Sequence, residues 1–215
     1  MPAAKLSPQQ ARSRKSFRRM LDAAEHVLNQ HGLQGATLAR IAARANLSSA
    51  NVYRRFHDKE ALMRAVFTRA SEANVQQLAK KMDSEHTRAM GIRKFTRQWI
   101  AAMIKGYRAR TGLTRATVQY AQQQARTPFV RRQRELEIQG FRKLVDTFLM
   151  WRDEIRHPDP EYAVNFGLLM VVFNLRELIL FDQAPLFSKI APVSDVYLRE
   201  ELPRMFLRYL GIETK

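Results

Sequence analysis

Asn51, Tyr53, Arg54 and Arg55 fall within five consecutive positions, and together they suit one kind of chemistry. Asn pairs well with adenine and Arg with guanine in the major groove of DNA, and both also bond phosphate. The residue types alone do not divide them between base and phosphate. Reactive side chains elsewhere do not gather in this way. The five histidines (His26, His31, His57, His86, His157) are scattered along the chain, with no i, i+4 pair to hold a metal on one helix. Glu135 and Glu137 are two apart and point to different helix faces. No Gly-rich phosphate loop or nucleophile-elbow pattern occurs, and there is no cysteine. The expectation is a protein that is not an enzyme, with no cofactor and no metal.

Those four residues need a frame. Phe17, Met20, Leu21, Ala24, Val27 and Leu28 recur at steps of three and four, the apolar stripe of one helix. His31-Gly32 ends it, with Gly32 as a left-handed cap. Thr37 is a good N-cap for a short second helix burying Leu38, Ile41, Ala42 and Ala45. Asn46-Leu47-Ser48 reads as a tight turn, since Asn tolerates positive φ and Ser48 can cap the next helix. This third helix, over Ser49 to Phe56, buries Val52 and Phe56, which leaves Ala50, Asn51, Tyr53 and Arg54 pointing away from the core and Arg55 at the edge. Asp58 then caps a longer helix into the low eighties. Three helices with a tight turn between the second and third match a helix-turn-helix, in which the second braces the third and the third enters a major groove.

Charge agrees. Residues 1–70 hold thirteen Lys and Arg against four Asp and Glu, a net +9 of the chain's +17. The whole chain, 215 residues with Lys+Arg 37 against Asp+Glu 20, favours a polyanionic partner, nucleic acid first and an anionic membrane surface second. Hydrophobic residues at 46% supply a real core. The lack of cysteine excludes disulfides and fits a reducing cytoplasm. The first 19 residues are polar and basic, so no signal peptide is expected. The most apolar stretch, Tyr162 to Leu175, is 14 residues and holds Asn165 and Asn174. That is short of the roughly 20 a bilayer needs, and a buried helix is the better reading.

The remainder also reads as helix. Met90 to Arg110 sets Ile92, Phe95, Trp99, Met103 and Tyr107 on one side, and Thr111-Gly112 interrupts. Thr114 to Ala125 is the next helix, and Thr127-Pro128 opens another that can run to Arg156. His157-Pro158-Asp159-Pro160 is a break. Glu161 to Phe181 is strongly apolar, Ala184-Pro185 and Ala191-Pro192 bracket a loop, and a last helix runs to Leu210, kinked or split at Pro203.

At this point a resemblance is plain. Ala36-Thr37-Leu38-Ala39-Arg40-Ile41-Ala42-Ala43-Arg44-Ala45-Asn46-Leu47-Ser48, then Val52-Tyr53-Arg54-Arg55-Phe56, then Lys59-Glu60-Ala61-Leu62 resemble the DNA-binding domain of the tetracycline-repressor (TetR) family over about residues 15–70. Leu21-Asp22-Ala23-Ala24 and His31-Gly32 fit its first helix. Asn46 stands where the family usually has Gly, and Arg55 where it often has His. The resemblance implies phosphate contacts by Thr37, Ser48, Tyr53 and Lys59 and base-edge positions at Ser49, Ala50, Asn51 and Tyr53; the reading from the residues adds Arg54, with Arg55 keeping a phosphate contact. Arg12-Ser13-Arg14-Lys15 can extend into a minor groove or onto the backbone.

The expected architecture is therefore all-α: a basic N-terminal arm over 1–14, a helix-turn-helix domain over 15–60 with a connecting helix to about 82, and a helical domain over 83–215. The resemblance implies that the latter dimerises and binds a small molecule. The apolar helix and the last helix, two from each subunit, can form a four-helix interface through Leu175, Leu178, Ile179, Leu202 and Phe206. Trp99, Met103, Tyr107, Tyr120, Phe148, Phe166, Met170 and Asn174 are candidate ligand-lining residues. The expected protein is a cytoplasmic, homodimeric, sequence-specific transcription regulator, a repressor on a near-palindromic operator in double-stranded DNA, released by a small-molecule effector and with no membrane partner. The alternative is a sequence-tolerant, nucleoid-type DNA-binding protein held by charge alone.

Overall fold

The computed structural model describes residues 8–82, 85–124, 126–181, 189 and 193–213. Lys5, Ala125 and, apart from Lys189, the loop bracketed by Ala184-Pro185 and Ala191-Pro192 lie outside the described residues. Among those described there is no β-strand. The helices are α1 (Pro8–Gly35), α2 (Leu38–Ala45), α3 (Ser49–Tyr53), α4 (Lys59–Met82), α5 (Glu85–Met90), α6 (Ile92–Ala109), α7 (Thr111–Gln123), α8 (Pro128–Leu149), α9 (Pro160–Leu175, continued by a π-helical turn Arg176–Leu180) and α10 (Asp195–Tyr209). A 3₁₀ turn, Arg152–Glu154, comes after α8, so the long helix stops before Arg156. The chain divides into two compact units, one of residues 1–70 with 112–129 and one of 71–111 with 130–215.

In the first unit, α1 buries Met20, Leu21, Ala24, Val27 and Leu28, α2 buries Ile41, Ala42 and Ala45, and Val52 and Phe56 close the space beneath α3. Leu38, expected in this core, is only half-buried, because it stands at the first position of α2. Chain geometry is set by the capping residues. Thr37 accepts the Arg40 N–H and Ser48 the Asn51 N–H, and the Asp58 carboxylate accepts the Ala61 N–H at 2.6 Å. Each satisfies a donor that a helix start leaves open. Asn46 takes the left-handed conformation, φ 52°, ψ 53°, as the turn requires. Residues 112–129 complete the unit. Tyr120 sits between Phe67 and Phe129, with ring centroids 5.4 and 5.2 Å apart. Gly112 meets the α1 backbone so closely that a Cβ there would lie 2.2 Å from the Asn29 carbonyl oxygen, and the Asn29 side chain accepts the Leu113 N–H at 3.2 Å.

The second unit is built on aromatics. Phe148 is fully buried, with Phe95 and Phe206 each 5.1 Å and Trp99 5.7 Å away between ring centroids. Gly167 admits Phe206, since a Cβ on it would fall 2.6 Å from that ring. Asp159 caps α9, with Pro160 in the first turn, and Ser194 caps α10. Helix α10 is continuous through Pro203, which is buried, rather than split there. Together α9 and its π-helical turn run 21 apolar-rich residues, longer than the 14-residue run read from sequence and long enough by length and composition to cross a bilayer. One side of it, including Val164, Leu168, Val171, Leu175 and Ile179, is packed in the unit's own core.

Candidate nucleic-acid interface

Helix α3 is one and a half turns long and leans on its partners through one side only. Val52 has no exposed surface and Phe56 little, whereas Tyr53 is 57% exposed. Ser48, Ser49, Ala50, Arg54 and Arg55 are also exposed or nearly so, and Asn51 is half-buried. The helix is shorter than the Ser49–Phe56 span expected, because Arg54 and Arg55 form a turn that swings Phe56 back into the core. The polar face survives this. Thr37, at the start of α2, is exposed as well. The structure thus gathers Ser48, Ser49, Ala50, Asn51, Tyr53 and Arg54 on and beside α3.

Three site residues have internal partners that the sequence did not announce. Arg54 donates from Nη2 to the Asn51 side-chain oxygen, which joins the two into one polar unit. Arg55 donates to Ser13 Oγ at 2.8 Å and lies 4.7 Å over the Phe17 ring. Lys59, implied as a phosphate contact, sends its ammonium to the Leu33 carbonyl at 3.1 Å and is half-buried. A cation suits the carbonyl end of a helix better than the first turn of one, so the end of α1 accounts for a lysine at the start of α4.

Four basic residues support the frame. Arg19 donates to the carbonyls of Ala45 and Asn46, which fixes the turn before Ser48. Arg40 donates to the Gly35 carbonyl at 3.0 Å. Arg69 binds Asp22 at 2.8 Å and Glu25 at 3.0 Å, tying α4 to α1. Arg64 pairs with Glu60 at 3.3 Å and donates to the Tyr120 hydroxyl. With Asp58 used as a cap, every acid among residues 8–70 is engaged. Arg12, Arg14, Lys15, Arg18 and Arg44 remain at the surface alongside Arg54, so the positive charge of this unit is carried outward. Residues 8–14 of the expected basic arm are the first turns of α1, not an extended arm.

The other expected sites look different in three dimensions. Of the eight ligand-lining candidates, Trp99 and Phe148 are packed ring against ring, and Tyr120 lies in the other unit among Phe67 and Phe129. Phe166 is 39% exposed. Asn174 is exposed, its amide donating to the Met170 carbonyl at 2.7 Å. Met103, Met170 and Tyr107 are half-buried, and burial pushes the Tyr107 hydroxyl pKa up. Tyr120 thus falls in a different unit from the other seven: helical spacing groups residues along a helix but does not say which helices meet. The residues expected at a dimer interface are placed differently as well. Leu175, Ile179, Leu202 and Phe206 are buried in the subunit's own core and Leu178 is outside that core's fully buried set, so the first four offer no face to a partner. The exposed apolar side of α9 is instead Tyr162, Phe166, Leu169 and Phe173, and α10 exposes Val196, Tyr197 and Met205. Among the described residues no three His, Asp or Glu side chains gather as metal ligands would.

Residues 20–66 match the family described as bacterial regulatory proteins, tetR family. No curated protein sequence matches the chain. Solved structures share its fold. A protein of Mesorhizobium loti assigned to the TetR-family transcriptional regulators is 19% identical, with TM-score 0.68 over 93% of this chain and 97% of that one. The regulator FadR of Bacillus subtilis, solved with stearoyl-CoA, is 16% identical, with TM-score 0.57 over 92% and 100%. A TetR transcriptional regulator of Rhodococcus sp. RHA1 is 18% identical, with TM-score 0.54 over 93% and 97%. The N-terminal segment over residues 20–66 is thus similar to the tetR family of bacterial regulatory proteins, and the fold is shared with solved TetR-family regulators along nearly the whole chain.

Proposed function

We propose that the protein is a cytoplasmic, sequence-specific repressor that occupies a near-palindromic operator as a homodimer and leaves it when a small-molecule effector binds. The observation that carries the reading is the exposed Ser49–Tyr53 face of a short helix buttressed by Val52 and Phe56. A groove-reading helix needs a polar outer face, a rigid footing and a positive surround, and all three occur together here. Ser48, Thr37 and Tyr53 hold the backbone phosphates, with the free donors of Lys59 and Arg55 at the margin. Asn51 and Arg54 read bases with Ser49 and Ala50 close against the groove. Bidentate pairing of Asn51 with adenine uses its side-chain oxygen and amide together, so Arg54 must release or share that oxygen on binding.

The dimer reading rests on the exposed apolar residues of α9 at i, i+4, i+7 and i+11 (Tyr162, Phe166, Leu169, Phe173) and on Val196, Tyr197 and Met205 of α10. Two helices from each subunit can then close a four-helix seam. FadR of Bacillus subtilis was solved with stearoyl-CoA, and an effector for this chain is a reading by analogy with such relatives. An effector lowers operator affinity only by binding the DNA-incompetent arrangement better, with a coupling of roughly 1–3 kcal/mol.

Operator affinity of Tyr53→Ala tests the DNA reading. A loss of about 1–3 kcal/mol, the scale of one good contact, with unchanged helix content is expected. Wild-type operator affinity in this variant would overturn the assignment of α3.

A further inference from the structure

Arg55 stands where the TetR family that this chain resembles often has histidine, and its side chain reaches back to α1. Its guanidinium donates to Ser13 Oγ at 2.8 Å and lies over the Phe17 ring, which stacks on Phe56 at 5.8 Å between centroids. Ser13 and Phe17 are one turn apart on α1, so this layered contact fastens the first turns of α1 to the segment leaving α3. Because α1 is helical from Pro8, what is fastened is a rod.

That rod carries a stripe. Arg12, Lys15 and Arg19 fall at i, i+3 and i+7 and share a face, spanning about 10 Å at 1.5 Å per residue. All three are exposed. At the inner end Arg19 donates to the carbonyls of Ala45 and Asn46, the turn directly before Ser48. The stripe therefore starts at the helix-turn-helix turn and leads away from it, and among the described residues no carboxylate pairs with Arg12 or Lys15. Long, flexible cations with no planar partner to orient them suit phosphate oxygens rather than base edges.

We infer that Arg12 and Lys15 form a second, sequence-independent contact surface for the phosphate backbone of duplex DNA, held in register with α3 by Arg55 and Arg19 as positioning residues. The inference rests on reading α3 as the recognition helix, but its test does not require an operator, because phosphate contacts exist on any sequence.

The experiment measures affinity of the full chain for a labelled random 30-base-pair duplex, and for a selected operator, across a salt series. Each phosphate contact contributes roughly 0.9 to the log–log slope. The Arg12→Ala/Lys15→Ala variant is expected to bind both DNAs with a slope shallower by about two per bound protomer, with its operator-to-random preference unchanged. Lys105→Ala, an exposed cation of the other unit, controls for net charge and should keep the wild-type slope. Ser13→Ala removes the hydroxyl that Arg55 grips and no charge. It should speed amide exchange over residues 9–15 and make the slope shallower by less than the double variant does. In the double-variant background it should change the slope no further, an outcome that a merely structural role would not give. A wild-type slope in the double variant overturns the inference. A wild-type chain without operator preference overturns the recognition-helix reading instead, and leaves the slope on random DNA to judge the stripe.

Discussion

Between residues 35 and 60 three helix starts and the turn after α2 are each tied by a polar residue: Thr37 and Ser48 at two N-caps, Asn46 in the left-handed region, Asp58 on the Ala61 N–H. In residues 130–213 the caps are fewer, and the arrangement is set by a web of rings around Phe148, into which Phe206 fits only because position 167 is glycine. The first region places its helices by local bonds and keeps its exposed face polar. The second places them by packing and leaves apolar surface on α9 and α10 exposed. A domain fixed by local bonds can hold a short recognition face steady against DNA, whereas one fixed by packing has a surface to offer a second copy of itself.

That contrast can be broken at several points. Phe206→Ala should have the largest effect, since it empties a fully buried ring site; chemical denaturation is expected to show a loss of about 3–5 kcal/mol. A folded, stable monomer from this variant would return Phe206 to the surface and undo the distinction between core and seam. Leu169→Asp attacks the exposed side of α9 and should leave the subunit folded. Burying an unpaired carboxylate costs several kcal/mol, so the dimer should weaken by roughly 100-fold or more, read as a halved mass in sedimentation. An unchanged dimer would move the seam elsewhere. Thr37→Ala is expected to cost about 1 kcal/mol of stability in thermal unfolding, the value of one N-cap. No change would mean that local bonds do not place α2 as argued.

The same contrast explains what the sequence made legible. Thr37, Asn46, Ser48 and Asp58 act on neighbours a few residues away, so their roles can be read from residue type and spacing, and the outward face of α3 with them. Arg55 on Ser13 and Lys59 on Leu33 join positions 42 and 26 residues apart, which spacing cannot reveal. Helix α9 is apolar nearly all round, so periodicity gave no reason to bury Leu175 and Ile179 rather than Leu169 and Phe173. Tertiary packing made that choice, burying the first two in the unit's core and leaving the other two exposed. Residue type groups Tyr120 with Trp99, although the fold puts it beside Phe67 in the other unit.

The central claim is that a local, rigid face on α3 reads sequence. Selecting fragments of the source genome bound by the full chain at physiological salt tests it most directly. The account predicts one enriched near-palindromic motif, with half-sites one helical turn or a multiple apart, and a motif for Asn51→Ala that loses information at one position of each half-site. Enrichment of no motif, with binding that tracks charge alone, would contradict it.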